Sequence, residues 1–111
     1  MLRRKLADSS QPFGIMADLN ALPGRGDEVA TAIAGSQVIP LTRLEAGCIA
    51  YDLYRDTDAP DCFVMHERWS NLDALAVHLA TAHFNAAGAA LAGLLAKTPT
   101  VRVLTPAGEQ P

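Results

Sequence analysis

Residues 62–84 read CFVMHERWSNLDALAVHLATAHF, and their apolar pattern changes period halfway along. From Cys62 to Trp69 it repeats every second residue: Phe63, Met65, Glu67 and Trp69 fall on one face, Cys62, Val64, His66 and Arg68 on the other, as in a strand. From Leu72 the period lengthens to that of a helix, with Leu72, Leu75 and Leu79 on the inner stripe. Ser70 is the expected N-cap, and Asp73 three residues later approximates a capping box. This helix runs to about residue 80. Thr81 then caps another, with Phe84, Ala87, Leu91 and Leu94 or Leu95 on its stripe and with Gly88 and Gly93 weakening it.

Upstream, FGIMADLNAL is a first strand that sets Phe13, Ile15, Ala17 and Leu19 against Met16 and Asp18, and it ends at Pro23-Gly24. A helix is expected over about 27–45, with Asp27 and Glu28 favouring its N-terminus and Val29, Ile33, Pro40 and Leu44 on one stripe. Pro40 predicts a kink or break near 36–40, because a mid-helix proline removes a backbone bond and clashes with the preceding turn. Gly47 ends that segment. CIAYDLYR (48–55) is the second strand, with Ile49, Tyr51 and Leu53 alternating against Cys48, Ala50, Asp52 and Tyr54. After the turn DTDAPD, the strand of 62–69 and its helices follow, and TVRVLT supplies a fourth strand.

The order β-α-β-β-α-(α)-β predicts an α+β, ferredoxin-like domain: a four-stranded antiparallel sheet with its helices on one face. Residues 1–12 are expected to be a flexible N-terminal arm, 13–106 the domain, and 107–111 a tail. Strands two and three are apolar on both faces, so the side away from the helices also has to leave water. A second copy of the sheet is the economical cover, which predicts a face-to-face homodimer.

With 111 residues there is room for one core, and half of the residues are hydrophobic. A net charge of −3 and the lack of a Lys/Arg cluster beyond Arg3–Lys5 argue against nucleic acid as a partner. No run approaches the ~20 apolar residues of a membrane span. The basic start lacks a secretory apolar region, so a cytoplasmic location is expected. Cys48 and Cys62 would stand at opposite ends of a hairpin, ~23 Å apart, too far to bridge.

Three stretches together resemble the antibiotic biosynthesis monooxygenase (ABM) domain family of the dimeric α+β barrel superfamily: LNALPG, LEAGCIAYDLYRD and FVMHERWSNLDALAVHLATAHF. The best-matching pieces are Glu45-x-Gly47-Cys48, Tyr51, and Glu67-x-Trp69 through His78 to His83-Phe84. The resemblance implies a dimeric barrel and, in the oxygenase branch, a cofactor-independent monooxygenase. There an electron-rich aromatic is deprotonated and its anion passes an electron to O₂, with no cofactor required. The haem-degrading branch of the superfamily uses an Asn, a Trp and a His where this chain carries Ala17, His78 and Gly88, and Asn20 lies three residues from the first of these. Haem degradation is disfavoured accordingly.

The catalytic candidates are His78, His83 and Glu67. Glu67 shares an apolar face, where desolvation raises a carboxyl toward a useful acid–base range, although a salt bridge to Arg55 or Arg102 would make it structural. His78 flanks an apolar stripe, and His83 stands in the first turn after Thr81; each is either a base or a packing residue. Trp69, Tyr51, Met65 and Phe63 are the candidate lining for a small aromatic substrate in a pocket between sheet and helices, with core packing as the alternative. His66 faces the other way and ranks behind His78. No metal site is expected, because His78 and His83 are five residues apart rather than the four that share a helix face. The competing class is a non-catalytic dimeric module that binds a small ligand or answers stress.

Overall fold

A computed structural model describes residues 8–108. Four strands, β1 (Phe13–Asn20), β2 (Cys48–Arg55), β3 (Cys62–Trp69) and β4 (Thr100–Leu104), form one antiparallel sheet in the order β2-β3-β1-β4. Four helices accompany it: α1 (Gly26–Ser36), α2 (Val38–Arg43), α3 (Leu72–Leu79) and α4 (Ala82–Leu91). This is the expected ferredoxin-like α+β arrangement. The register opposes Trp69 to Phe13 and to Cys48, Glu67 to Ile15 and Tyr51, and Met65 to Ala17 and Leu53. Strand side chains that face the helices make up half of the buried apolar core: Phe13, Ile15 and Leu19 from β1, Tyr51 from β2, and Phe63, Met65 and Trp69 from β3. Every second residue of β3 is buried, as its alternation predicts.

Four expectations are corrected in detail. The helix expected over 27–45 does break in the interval that Pro40 indicates, at Gln37, whose φ of 62° is left-handed. Pro40 then sits in the first turn of α2, where its missing N–H leaves no bond unmade. The break resets the helical phase. Val29 and Ile33 remain buried, but Val38 and Thr42 take the inner positions expected for Pro40 and Leu44, and Leu44 is 81 % exposed.

Along β2 the pairing slips between Cys48 and Ala50, which makes Ile49 the extra residue of a bulge. Ile49 is therefore exposed instead of sharing the buried face of Tyr51. At the start of α3 the cap is Asn71, not Ser70: Asn71 Oδ1 accepts the Ala74 N–H at 2.8 Å, which moves Asp73 out of capping-box position. Ser70 is engaged elsewhere, its N–H donating to Gly47 O at 2.8 Å. Finally, α4 stops at Leu91, short of Leu94, and the chain turns away at Gly93 with φ 80°. Leu95 instead bridges to Ala21.

Residues 1–7 and 109–111, most of the expected arm and tail, lie outside the described residues. Ser9, within the expected arm, accepts the Leu72 N–H at 2.9 Å and so satisfies a free donor of the first turn of α3. Cys48 and Cys62 are free thiols at opposite ends of the β2–β3 pair. Among the described residues no single helix is long and apolar enough to cross a membrane.

Candidate active site

The turn between α2 and β2 is held from both sides. Arg43 donates to Tyr51 O at 3.1 Å and to Asp52 Oδ1 at 2.8 Å, which ties the end of α2 to β2. The Glu45 N–H donates to Thr42 O, and Glu45 O accepts from the Cys48 N–H. Gly47 follows with φ 87°, and a Cβ there would lie 2.6 Å from Ala74 Cβ, so only glycine lets this turn approach α3 so closely. The close approach brings Glu45 beneath α3 and α4.

Thr81 joins those two helices at a fixed angle. Its Oγ1 donates to His78 O at 2.7 Å and accepts the Phe84 N–H at 3.2 Å, so one side chain closes α3 and opens α4. His78 and His83 then converge on a single atom. His78 Nδ1 lies 2.7 Å and His83 Nε2 2.8 Å from Glu45 Oε2. Burial opposes ionisation of Glu45, but the hydrogen bonds from the two imidazoles outweigh it and hold the carboxyl below its ordinary range. The carboxylate accepts, so Nδ1 of His78 and Nε2 of His83 carry the protons. Glu45 Oε1 and His78 Nε2 are buried without a hydrogen-bond partner.

Around His78 the rings pack edge to face and tilted. Its centroid lies 5.3 Å from Tyr51, 4.8 Å from Trp69 and 5.0 Å from Phe84. Trp69 Nε1 in turn donates to Glu67 Oε1 at 3.0 Å. Burial pushes the Glu67 carboxyl up to about 7; the bond from Trp69 opposes this, and the nearby charge of Glu45 adds to it. Glu67 thus has an indole as its partner. Arg55, considered as a structural partner, bonds Asp27 and Pro60 O and stacks over Phe63 at the far end of the sheet. Burial also raises the phenol of Tyr51, which is therefore neutral.

Of the candidates read from the sequence, the fold gathers His78, His83, Glu67, Trp69 and Tyr51 into one cluster. Phe63 lies six residues from Trp69 along β3, roughly 20 Å away, and Met65 is in the core between them. His66 is on the opposite face. His78 takes the buried place expected for Leu79, being 1 % exposed while Leu79 is 42 % exposed, and Glu45 makes that burial tolerable by satisfying Nδ1. The rings occupy the space in which a pocket was expected, with Trp69 fully buried. An open cavity of about 560 Å³ lies at the other end of the sheet, beside Gly24, Arg55 and Asp61. The accessible edge of the cluster is formed by His83, whose side chain is 15 % exposed, with the half-exposed Phe84 against His78. Glu45 received no role from the sequence; its only signal was its place in Glu45-x-Gly47-Cys48.

Comparison with known proteins agrees with the fold. The sequence model of the family described as antibiotic biosynthesis monooxygenase matches residues 12–90. The Escherichia coli protein named "Probable quinol monooxygenase YgiN" is 28 % identical over 100 residues, covering 83 % of this chain and 95 % of its own. Among solved structures, Rv0793 from Mycobacterium tuberculosis superimposes with a TM-score of 0.79 at 29 % identity, covering 89 % of this chain and 98 % of that one. PA3566 from Pseudomonas aeruginosa gives 0.80 at 27 %, covering 92 % and 100 %.

Proposed function

Because the chain belongs to the antibiotic biosynthesis monooxygenase family, we propose that it oxidises a small electron-rich aromatic of quinol or anthrone type with O₂, using its own side chains and no cofactor. The observation that carries this reading is the Glu45 oxygen shared by two imidazoles, one of them at the accessible edge. Support at the level of chemistry comes from the name of the E. coli relative.

In this reading His83 is the base. Its Nε2–H is held by Glu45, which leaves Nδ1 as the lone pair that accepts a proton, and the carboxylate stabilises the imidazolium that forms. For a carbon acid of anthrone type, His83 takes the first C–H proton and the carbanion passes one electron to O₂. The radical and superoxide combine into a C–O bond, and His83 returns its proton to the peroxide. His83 then takes the second proton from the same carbon as the O–O bond breaks, yielding a ketone and hydroxide, and passes that proton to the hydroxide to form water. One O₂ is consumed and one oxygen atom is retained.

His78, with Nδ1 bonded and Nε2 buried, positions Glu45 and does not meet substrate. Trp69 and Tyr51 form the wall behind His78, and Phe84 is the ring on which the aromatic substrate stacks. Glu67 accepts the indole N–H, and burial keeps its carboxyl protonated below about pH 7, which there avoids a second negative charge beside Glu45.

Oxygen uptake with a panel of anthrones and hydroquinones tests the assignment. Turnover above the buffer blank is expected for at least one, and uptake equal to the blank across the panel would remove it. The close packing around His78 favours a second reading, a non-catalytic module that binds a small ligand, and that reading predicts the blank.

The sheet face away from the helices carries Met16, Val64 and the exposed Tyr54 and Leu104, among Asp18, Asp52, His66, Arg68 and Arg102. We propose that a second copy covers it, giving a homodimer in a reducing cytoplasm where both cysteines stay thiols. Light scattering at micromolar concentration is expected to report twice the chain mass; a stable single chain contradicts the pairing.

A further inference from the structure

We propose that Glu45, His78 and His83 also form a binding site for a divalent late transition-metal ion of the zinc, cobalt or nickel class. Glu45 Oε2, His78 Nδ1 and His83 Nε2 all lie within 4.8 Å of one another. Two of these separations are hydrogen bonds of 2.7 and 2.8 Å. In a tetrahedral site with bonds of about 2.0–2.2 Å, ligand atoms stand roughly 3.3–3.6 Å apart. An ion therefore replaces the two hydrogen-bond protons when each contact opens by less than about 1 Å.

The buried, unpartnered Glu45 Oε1 offers a second carboxylate oxygen to the same ion. Two imidazoles and one carboxylate are a donor set for zinc-like ions. Magnesium and calcium seek six or more oxygens instead. The fourth position opens along the edge where His83 reaches the surface.

Ligation at Nδ1 moves the proton of neutral His78 to Nε2, which has no acceptor in its buried surroundings. The site therefore loads reversibly, in the micromolar range, rather than with the tenacity of a four-ligand structural zinc. At His83, ligation through Nε2 moves the proton to Nδ1 and removes the lone pair assigned to proton acceptance. A loaded chain cannot act as the base. That consequence rests on the proposed oxygenase reading, whereas binding itself is measured without substrate.

The test is a titration of the full chain with Zn²⁺ by equilibrium dialysis and with Co²⁺ by visible absorption. One ion per chain is expected, with the d–d bands of a tetrahedral Co²⁺ centre and no competition from excess Mg²⁺. In the wild-type NMR spectrum the rings of His78 and His83 are expected to shift with Zn²⁺, while the ring of His66, on the other face of the sheet, stays in place. Glu45→Gln and His83→Ala, each checked for folding by circular dichroism, are expected to weaken binding at least about tenfold. The site is overturned by binding that is not stoichiometric, by an NMR response centred on His66, or by affinity unchanged in both variants. A failure of oxygen uptake leaves each of these readouts intact.

Discussion

Replacing His83 by alanine is expected to lower kcat/KM for oxygen-consuming turnover by about 10²–10⁴-fold, the usual contribution of a positioned general base. The chain should stay folded, because His83 lies in the first turn of α4 with its side chain at the accessible edge and its helix capped by Thr81. The loss should fall mainly on kcat, since Phe84 remains to bind an aromatic ring, and added imidazole should restore part of the rate. His78→Ala is expected to behave differently. It empties a buried position between Tyr51, Trp69 and Phe84 and frees Glu45 on one side, so a fall in stability accompanies any fall in rate. Steady-state oxygen-electrode rates alongside urea unfolding separate the two. A His83→Ala protein with wild-type rates would move the base to another residue.

Glu67→Gln is expected to make the protein more stable than wild type at pH 8, by about 3 kcal/mol, and no more stable near pH 4.5. Burial is the main cause: it raises the folded carboxyl to about 7 from an ordinary 4.5, with the Trp69 bond opposing and Glu45 adding. Between those two values the folded chain holds a proton that the unfolded chain has released. Stability therefore falls by about 1.4 kcal/mol for each pH unit across the window and is level above it. Glutamine has no proton to lose and keeps an oxygen for the Trp69 N–H, so the variant should not show this fall. Glu45 works in the opposite sense. Its lowered value adds stability that is full above the ordinary carboxylate range and is lost as pH drops through the folded value. Urea midpoints at pH 5 and pH 8 for both proteins check the difference, and parallel slopes would refute it.

The strands were legible because a half-buried sheet imposes alternation on every residue of β3 and most of β1, and Pro40 announced the joint between α1 and α2. What escaped the sequence is what depends on partners distant in the chain. Leu79 outranks His78 as an inner residue by hydrophobicity alone, and only Glu45, 33 residues earlier, reverses that order. Ser70 is a good cap in isolation, but in the fold its N–H answers Gly47. The bulge at Ile49 leaves no local mark, because it is set by the pairing with β3. Glu45 itself sits in a turn, outside any periodic element, where a carboxylate reads as solvated surface. The cluster was thus half visible: its rings announced themselves by type and spacing, its organising charge did not.

The oxygen shared by His78 and His83 has a mechanical meaning as well. It closes two loops at once, spanning 33 and 38 residues, with no covalent bond. A cystine keeps such loops closed in the unfolded chain as well, whereas these bonds exist only in the fold and must themselves offset the entropy of closing both loops. Here the clasp is undone by acid rather than by a reductant, so a protein whose two sulfurs stand apart still has a releasable cross-link.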